Sequence, residues 1–133
     1  VYAIEIDPIL HLSNRIDLPG NLTLIEGDAL RLEFPPDITC GVLLMRHCTR
    51  FSLYFDKLRD VGTRRLITNA RWRMGVEAVD LRAERIAFRE VEMGWYACHC
   101  GATGFKAGPA EQWSVEMDRV IHEVTDCPQC TKR

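Results

Sequence analysis

Four of the six cysteines fall in two close pairs, Cys98-His99-Cys100-Gly101 and Cys127-Pro128-Gln129-Cys130, with 26 residues between Cys100 and Cys127. A thiolate pair spaced by one or two residues grips one ion from a tight turn. A second pair completes the S4 tetrahedron that structural Zn²⁺ prefers. The spacing therefore predicts a zinc site made of Cys98, Cys100, Cys127 and Cys130, with the intervening chain folded back so that the pairs meet. The bland alternatives are a disulfide, or buried free thiols behaving as small hydrophobes. His99 and His122 are possible replacement ligands, although a histidine beside a cysteine cluster is more often a bystander.

With 133 residues, 47% hydrophobic and 27% charged, the chain is long enough for one domain with a real core and a small appendage. No apolar run approaches the length needed to cross a bilayer, so no membrane partner is expected. Cys40 and Cys48 lie in apolar or helical contexts without evident partners, and the other four pair by metal spacing. A reducing, cytoplasmic location is expected on that basis. Val1 already lies inside an apolar stretch, from which we expect the chain to be a fragment of a longer protein.

The net charge of −2 gives no global attraction to nucleic acid, but its distribution is uneven. Residues 1–45 hold 2 basic and 7 acidic groups (−5), 46–89 hold 11 and 5 (+6), and 90–133 hold 4 and 7 (−3). A basic block from Arg46 to Arg73, including Arg50, Lys57, Arg59, Arg64, Arg65 and Arg71, offers a surface for phosphates. The competing reading is the solvated face of an amphipathic helix.

Val1–Ile6 reads as a buried strand that stops at Asp7-Pro8. Asp7 then suits an N-cap and Pro8 the first turn of a helix with Ile9, Leu10, Leu12 and Ile16 inward. Residues 22–26, 38–45 and 65–70 read as further strands. Between the last two, Phe51 to Val61 has helical spacing that Gly62 ends. Strands alternating with helices indicate parallel pairing. Residues 76–81 are ambiguous between strand and helix, 86–96 favour a strand leading into the first cysteine pair, and 115–124 favour an extended stretch delivering the second. The tail is therefore expected to be antiparallel and metal-stapled.

Two acidic positions carry a functional hint. Ala3-Ile4-Glu5-Ile6-Asp7-Pro8 and Ile25-Glu26-Gly27-Asp28-Ala29-Leu30 each place a carboxylate at or just past a strand end, where open α/β sheets bind ligands. Here the chain resembles the S-adenosylmethionine-dependent methyltransferases of Rossmann-like fold, in wording closest to the ribosomal RNA adenine dimethyltransferases. The resemblance runs over roughly residues 1–72, beginning at that family's second strand. It implies Glu5 for the cofactor ribose, Ile6 for the adenine face, and Asp28 with Ala29 for the adenine edge. It also puts Met45, Arg46 and His47 where the family's fourth strand meets cofactor and substrate, with His47 as a general base. A purely structural histidine at a strand end is the alternative.

The chain departs from the family in two places. It has no glycine-rich first strand and turn, and Met45-Arg46-His47-Cys48 stands where amino-group methylases carry an Asn/Asp-Pro-Pro-Tyr motif. Methyl transfer to an exocyclic adenine nitrogen is therefore not expected, and the methyl acceptor is left open. Because the family's first strand lies between its second and fourth, the sheet is expected to show a gap, close in another order, or form a homo-oligomer.

The resulting expectation is an α/β protein. Residues 1–74 form an incomplete Rossmann-like methyltransferase part without its first strand, and residues 75–133 form an antiparallel zinc-binding extension. The cofactors expected are S-adenosylmethionine, by resemblance, and zinc. The alternative is a non-enzymatic zinc-containing module that binds nucleic acid or protein, with Trp95, Tyr96 and Trp113 either stacking surfaces or core anchors. Zinc catalysis of the nucleobase-deaminase kind needs an H-x-E element, which the sequence lacks.

Overall fold

The computed structural model describes residues 1–7, 17, 19–71 and 75–130. The expected helix over Pro8 to Ile16 and the position of Arg73 lie outside the described residues. Within them the protein is a mixed α/β structure of small sheets and one α-helix.

The apolar, β-prone stretches form strands where the pattern places them: β1 (Tyr2–Glu5), β2 (Thr23–Glu26), β3 (Cys40–Leu43) and β4 (Arg65–Thr68). The helix α1 (Phe51–Asp60) connects β3 to β4, which pair in parallel. It ends as a glycine stop should. Gly62 takes φ +87°, its N–H bonds the Arg59 carbonyl, and the Thr63 N–H reaches back to Leu58. The ambiguous stretch is a strand, β5 (Glu77–Asp80), antiparallel to β4. The sheet β3–β4–β5 therefore runs across the boundary expected between residues 74 and 75. β1 and β2 pair in parallel as a separate two-stranded sheet.

One face of the β3–β4–β5 sheet is covered by α1. Phe51, Phe55 and Leu58 of the helix bury against Leu66, Val79 and Leu81, with Phe34, Ile38 and Leu43 packed around them. Gly41 permits this approach, because a Cβ there would stand 2.7 Å from a Leu58 methyl. On its other face β3, an edge strand, leaves Val42 exposed, and Leu44 just beyond it is exposed too.

The C-terminal part is a second three-stranded sheet built from β6 (Gly94–Cys98), β7 (Thr103–Lys106) and β8 (Ile121–Val124), in the order β7–β6–β8. Its expected antiparallel character needs correction. β6 and β7 are an antiparallel hairpin, but β8 runs parallel to β6. The metal spacing itself requires this. Cys98 ends β6 and Cys127 follows β8, so the two pairs meet only if both strands point the same way. A reversed β8 would carry Cys127 to the far end of the sheet, about 13 Å away at 3.3 Å per residue. The long 107–120 connection, with two short 3₁₀ turns, supplies the crossover that parallel pairing needs. The expected strand from Ile86 to Tyr96 is also shorter. Ile86 makes only an isolated bridge to Val124, a 3₁₀ turn follows at Phe88–Glu90, and β6 begins at Gly94.

Candidate metal centre

Gly94 to Cys98 delivers the first thiol, and a turn closed by the Gly101 N–H on the Cys98 carbonyl delivers the second. Gly101 adopts φ +93°, and a Cβ there would stand 2.8 Å from the Phe51 Cβ, so the turn sits directly on the start of α1. Past β8, a second turn is closed by the Cys130 N–H on the Cys127 carbonyl. The four sulfurs all lie within 4.8 Å of one another. The closest pairs are Cys98–Cys130 at 3.5 Å, Cys127–Cys130 at 3.6 Å and Cys100–Cys127 at 3.7 Å.

These separations discriminate between the alternatives. Zinc–sulfur bonds of about 2.3 Å in a regular tetrahedron set sulfur–sulfur edges of about 3.8 Å. A disulfide requires about 2.05 Å, and all four cysteines are free thiols. Cys98 and Cys127 are buried, and Val91, Tyr96, Val124, Ile86 and Phe88 form an apolar shell around the group. Burial pushes the Cys98 and Cys100 thiols above their ordinary range, while backbone N–H groups of Cys100 and Ala102 respectively favour their anions. Burial acts on Cys130 in the same sense, but hydrogen bonds from Cys100, Cys98 and Cys127 outweigh it and hold that thiol below its usual value. A dication bound among the four sulfurs can convert them to thiolates. The four cysteines can thus hold a metal ion such as zinc, and with all four positions filled by sulfur the site would be structural.

Neither histidine belongs to this group. His99 turns away, and its Nε2 lies 3.0 Å from Asp56 Oδ1 on α1, with the ring edge-on to Phe55. Asp56 also pairs with Arg59 at 2.9 Å. His122 lies against Gly94. His99→Ala is therefore expected to retain stoichiometric metal while losing roughly 1 kcal/mol of stability, the net worth of one partly exposed hydrogen bond. Metal analysis beside chemical denaturation checks this, and a metal-free variant would make His99 a ligand.

No protein-family model, curated protein or solved structure matches this chain.

The expected cofactor-binding residues are distributed as follows. Glu5 pairs in register with Glu26, and Asp28 follows two residues later, so both carboxylates sit at the same carboxyl edge of β1–β2. Each is partly engaged locally. Glu5 Oε1 accepts from the Ile6 and Asp7 N–H groups, and Asp28 Oδ1 accepts from Leu30 N–H while Oδ2 lies 3.7 Å from Arg31. Ile6 is 65% exposed. Ala29 is half-buried, and its carbonyl accepts from Lys57 Nζ, which also bonds the Leu32 carbonyl and covers the Phe34 ring. Met45 and His47 are exposed on the turn after β3, closed by the Cys48 N–H on the Met45 carbonyl. Tyr54 of α1 feels both Cys48 and Asp28, which add to burial in raising its phenol. A shallow cavity of about 350 Å³ lies elsewhere, lined by Arg64, Arg65, Ala78, Val79 and Asp80, and involves none of these residues.

The basic block is only partly engaged by the fold, since Arg46, Arg50, Arg59, Arg64 and Arg65 stay exposed. Lys57, Arg59 and Arg64 have the partners just named or Asp80, and Arg71 is buried. Arg71 is the residue whose role the charge count misses. Its side chain is 1% exposed and makes two bidentate pairs, with Glu77 (2.8 and 2.7 Å) and with Glu123 of β8 (2.9 and 2.9 Å). Burial works against the Arg71 charge, but the two carboxylates outweigh it and raise its affinity for the proton. Arg85 reaches the same Glu123 at 3.4 Å and stacks over Phe55.

Proposed function

We propose that this chain is the body of an S-adenosylmethionine-dependent methyltransferase-like protein with a structural zinc site in its C-terminal half. The observation that carries this reading is that Glu5 and Asp28 follow the two strands of one parallel pair and share its carboxyl edge, where open α/β sheets take their ligands. The residues suit the nucleoside half of the cofactor. The Glu5 carboxylate would accept from the ribose hydroxyls, Asp28 would accept from the adenine amino group, and Ile6 is an apolar side chain held in solvent beside them. The cofactor supplies a methyl group made electrophilic by its sulfonium. His47, on an exposed turn, is a group that can take the proton released by a methyl acceptor.

The division into β1–β2 and β3–β4–β5 also supports the reading, because it falls where the family's first strand would stand. Among the described residues nothing replaces that strand's glycine-rich turn, so none of them is assigned to the methionine half of the cofactor. Nucleoside binding, and not methyl transfer, is the activity expected of this chain by itself.

Titration of the ¹⁵N-labelled chain with adenosine and with S-adenosylmethionine tests the proposal. Both should shift the amides of residues 5–6 and 28–29 with similar affinities, roughly millimolar or a few kcal/mol, and Glu5→Ala should abolish the shifts. Amides unmoved by either ligand at saturation would remove the reading. A second reading, a non-enzymatic zinc-containing binding module, is favoured by one observation, namely that Phe105 of the zinc-binding sheet and Trp113 of its 107–120 connection stay exposed.

A further inference from the structure

One face of the β7–β6–β8 sheet is divided into two rows. Cross-strand register puts Thr103, Ala97 and Glu123 side by side in the row nearest the cysteines. That row docks the rest of the protein: Glu123 receives the Arg71 guanidinium, Thr103 reaches the Arg71 carbonyl, and Ala97 is fully buried. Two residues along, Phe105, Trp95 and Ile121 form the next row of the same face. Trp95 and Phe105 meet edge to face with centroids 5.2 Å apart. Phe105 and Ile121 nevertheless stay 38% and 44% exposed. An internal interface thus continues without a break into a solvent-facing apolar row.

The rim of this row is acidic. The Trp95 indole N–H donates to Asp118 at 2.7 Å, which leaves that carboxylate beside the row and exposed. The 107–120 connection carries Glu111, Glu116 and Asp118 against a single basic residue, Arg119, all four exposed. A nucleic acid would meet like charge here. An aromatic and β-branched strip with a negative rim suits a protein segment that offers apolar side chains between lysines or arginines, since aromatic anchors supply the affinity and rim charges the selectivity.

We infer that the Phe105–Trp95–Ile121 row is a docking surface for a basic, amphipathic segment of a partner protein. This goes beyond the methyltransferase reading and does not depend on it.

Selection of a phage-displayed library of random linear peptides on the zinc-loaded full chain tests the inference. Enriched peptides should combine apolar residues with lysine or arginine. Phe105→Ser and Ile121→Ser should each weaken a selected synthetic peptide at least about tenfold, as loss of a central anchor does. Asp118→Asn keeps an acceptor for the indole but removes the charge. It should weaken binding by a smaller factor and flatten its salt dependence, so the test stands even where a serine variant fails to fold. The inference is overturned by the absence of enrichment, by acidic winners, or by binding indifferent to all three variants. It is also overturned if an oligo(dT) strand binds and is lost in Phe105→Ser, which would make the row a nucleic-acid surface.

Discussion

Cys127→Ser is expected to abolish stoichiometric zinc binding and to unfold the sheet that carries the site. The reasoning starts from size. The apolar cluster of this part, Val91, Tyr96, Cys98, Val124 and Cys127, includes two of the thiols themselves, so little core remains once the metal group is broken. A structural zinc site contributes on the order of 10 kcal/mol, comparable to the whole stability of an ordinary domain. The measurement is metal content by atomic emission, together with the near-ultraviolet circular dichroism of Trp95 and Trp113. Both should be lost in Cys127→Ser and retained in Cys40→Ser and Cys48→Ser, whose sulfurs stand outside the group. Chelation of the native chain should reproduce the loss. Acidification should do so too, because protons compete with the ion for sulfur as pH falls. A chelated chain that keeps its near-ultraviolet signal would show that the cysteines are ordinary core thiols.

What the sequence disclosed follows from which interactions are local. The cysteine group is legible because ligand spacing within each turn is local chemistry, and β1 to β4 and α1 are legible because each is a short apolar run bounded by turn residues. β5 was ambiguous because Val79 and Leu81 alternate over too few residues to separate a period of 2.0 from one of 3.6. The direction of β8 is not legible in the sequence for a different reason. Turn signals at Gly101, Gly104 and Gly108 suggest hairpins, whereas the decisive constraint is that both cysteine pairs must arrive at one end of the sheet. Arg71 was hidden altogether. It falls in a basic block, but its partners lie 6 and 52 residues away, and charge counting cannot tell a buried fork from a solvated side chain. The acidic positions are an intermediate case. Glu5 and Asp28 share an edge as expected, yet each also binds its own turn, which is the role the commonplace reading of such residues predicts.

Arg71→Met is expected to cost about 3–5 kcal/mol, the price of removing one partner from a buried ionic group and leaving the others uncompensated. Glu77 and Glu123 would face each other at 17% and 18% exposure, with only the longer Arg85 contact, at 3.4 Å, left to balance them. Arg71→Lys should recover little, because a single ammonium cannot reproduce two bidentate pairs. The combination Arg71→Met, Glu77→Gln, Glu123→Leu should recover most of the loss, since it removes the charges together with their desolvation penalty. The effect also has a direction in space. Glu77 belongs to the sheet under α1 and Glu123 to the zinc-binding sheet, so Arg71 joins the two. Further junctions among the described residues include the His99–Asp56 contact, Thr103 on the Arg71 carbonyl, Arg85 between Phe55 and Glu123, and the close approach of Gly101 to Phe51. Thermal unfolding of the zinc-loaded Arg71→Met protein should therefore drop by on the order of 10–20 °C and separate into two transitions. The later one should be metal-dependent and followed by Trp95. A single, unshifted transition would mean that metal and apolar packing hold the halves together without the ionic group.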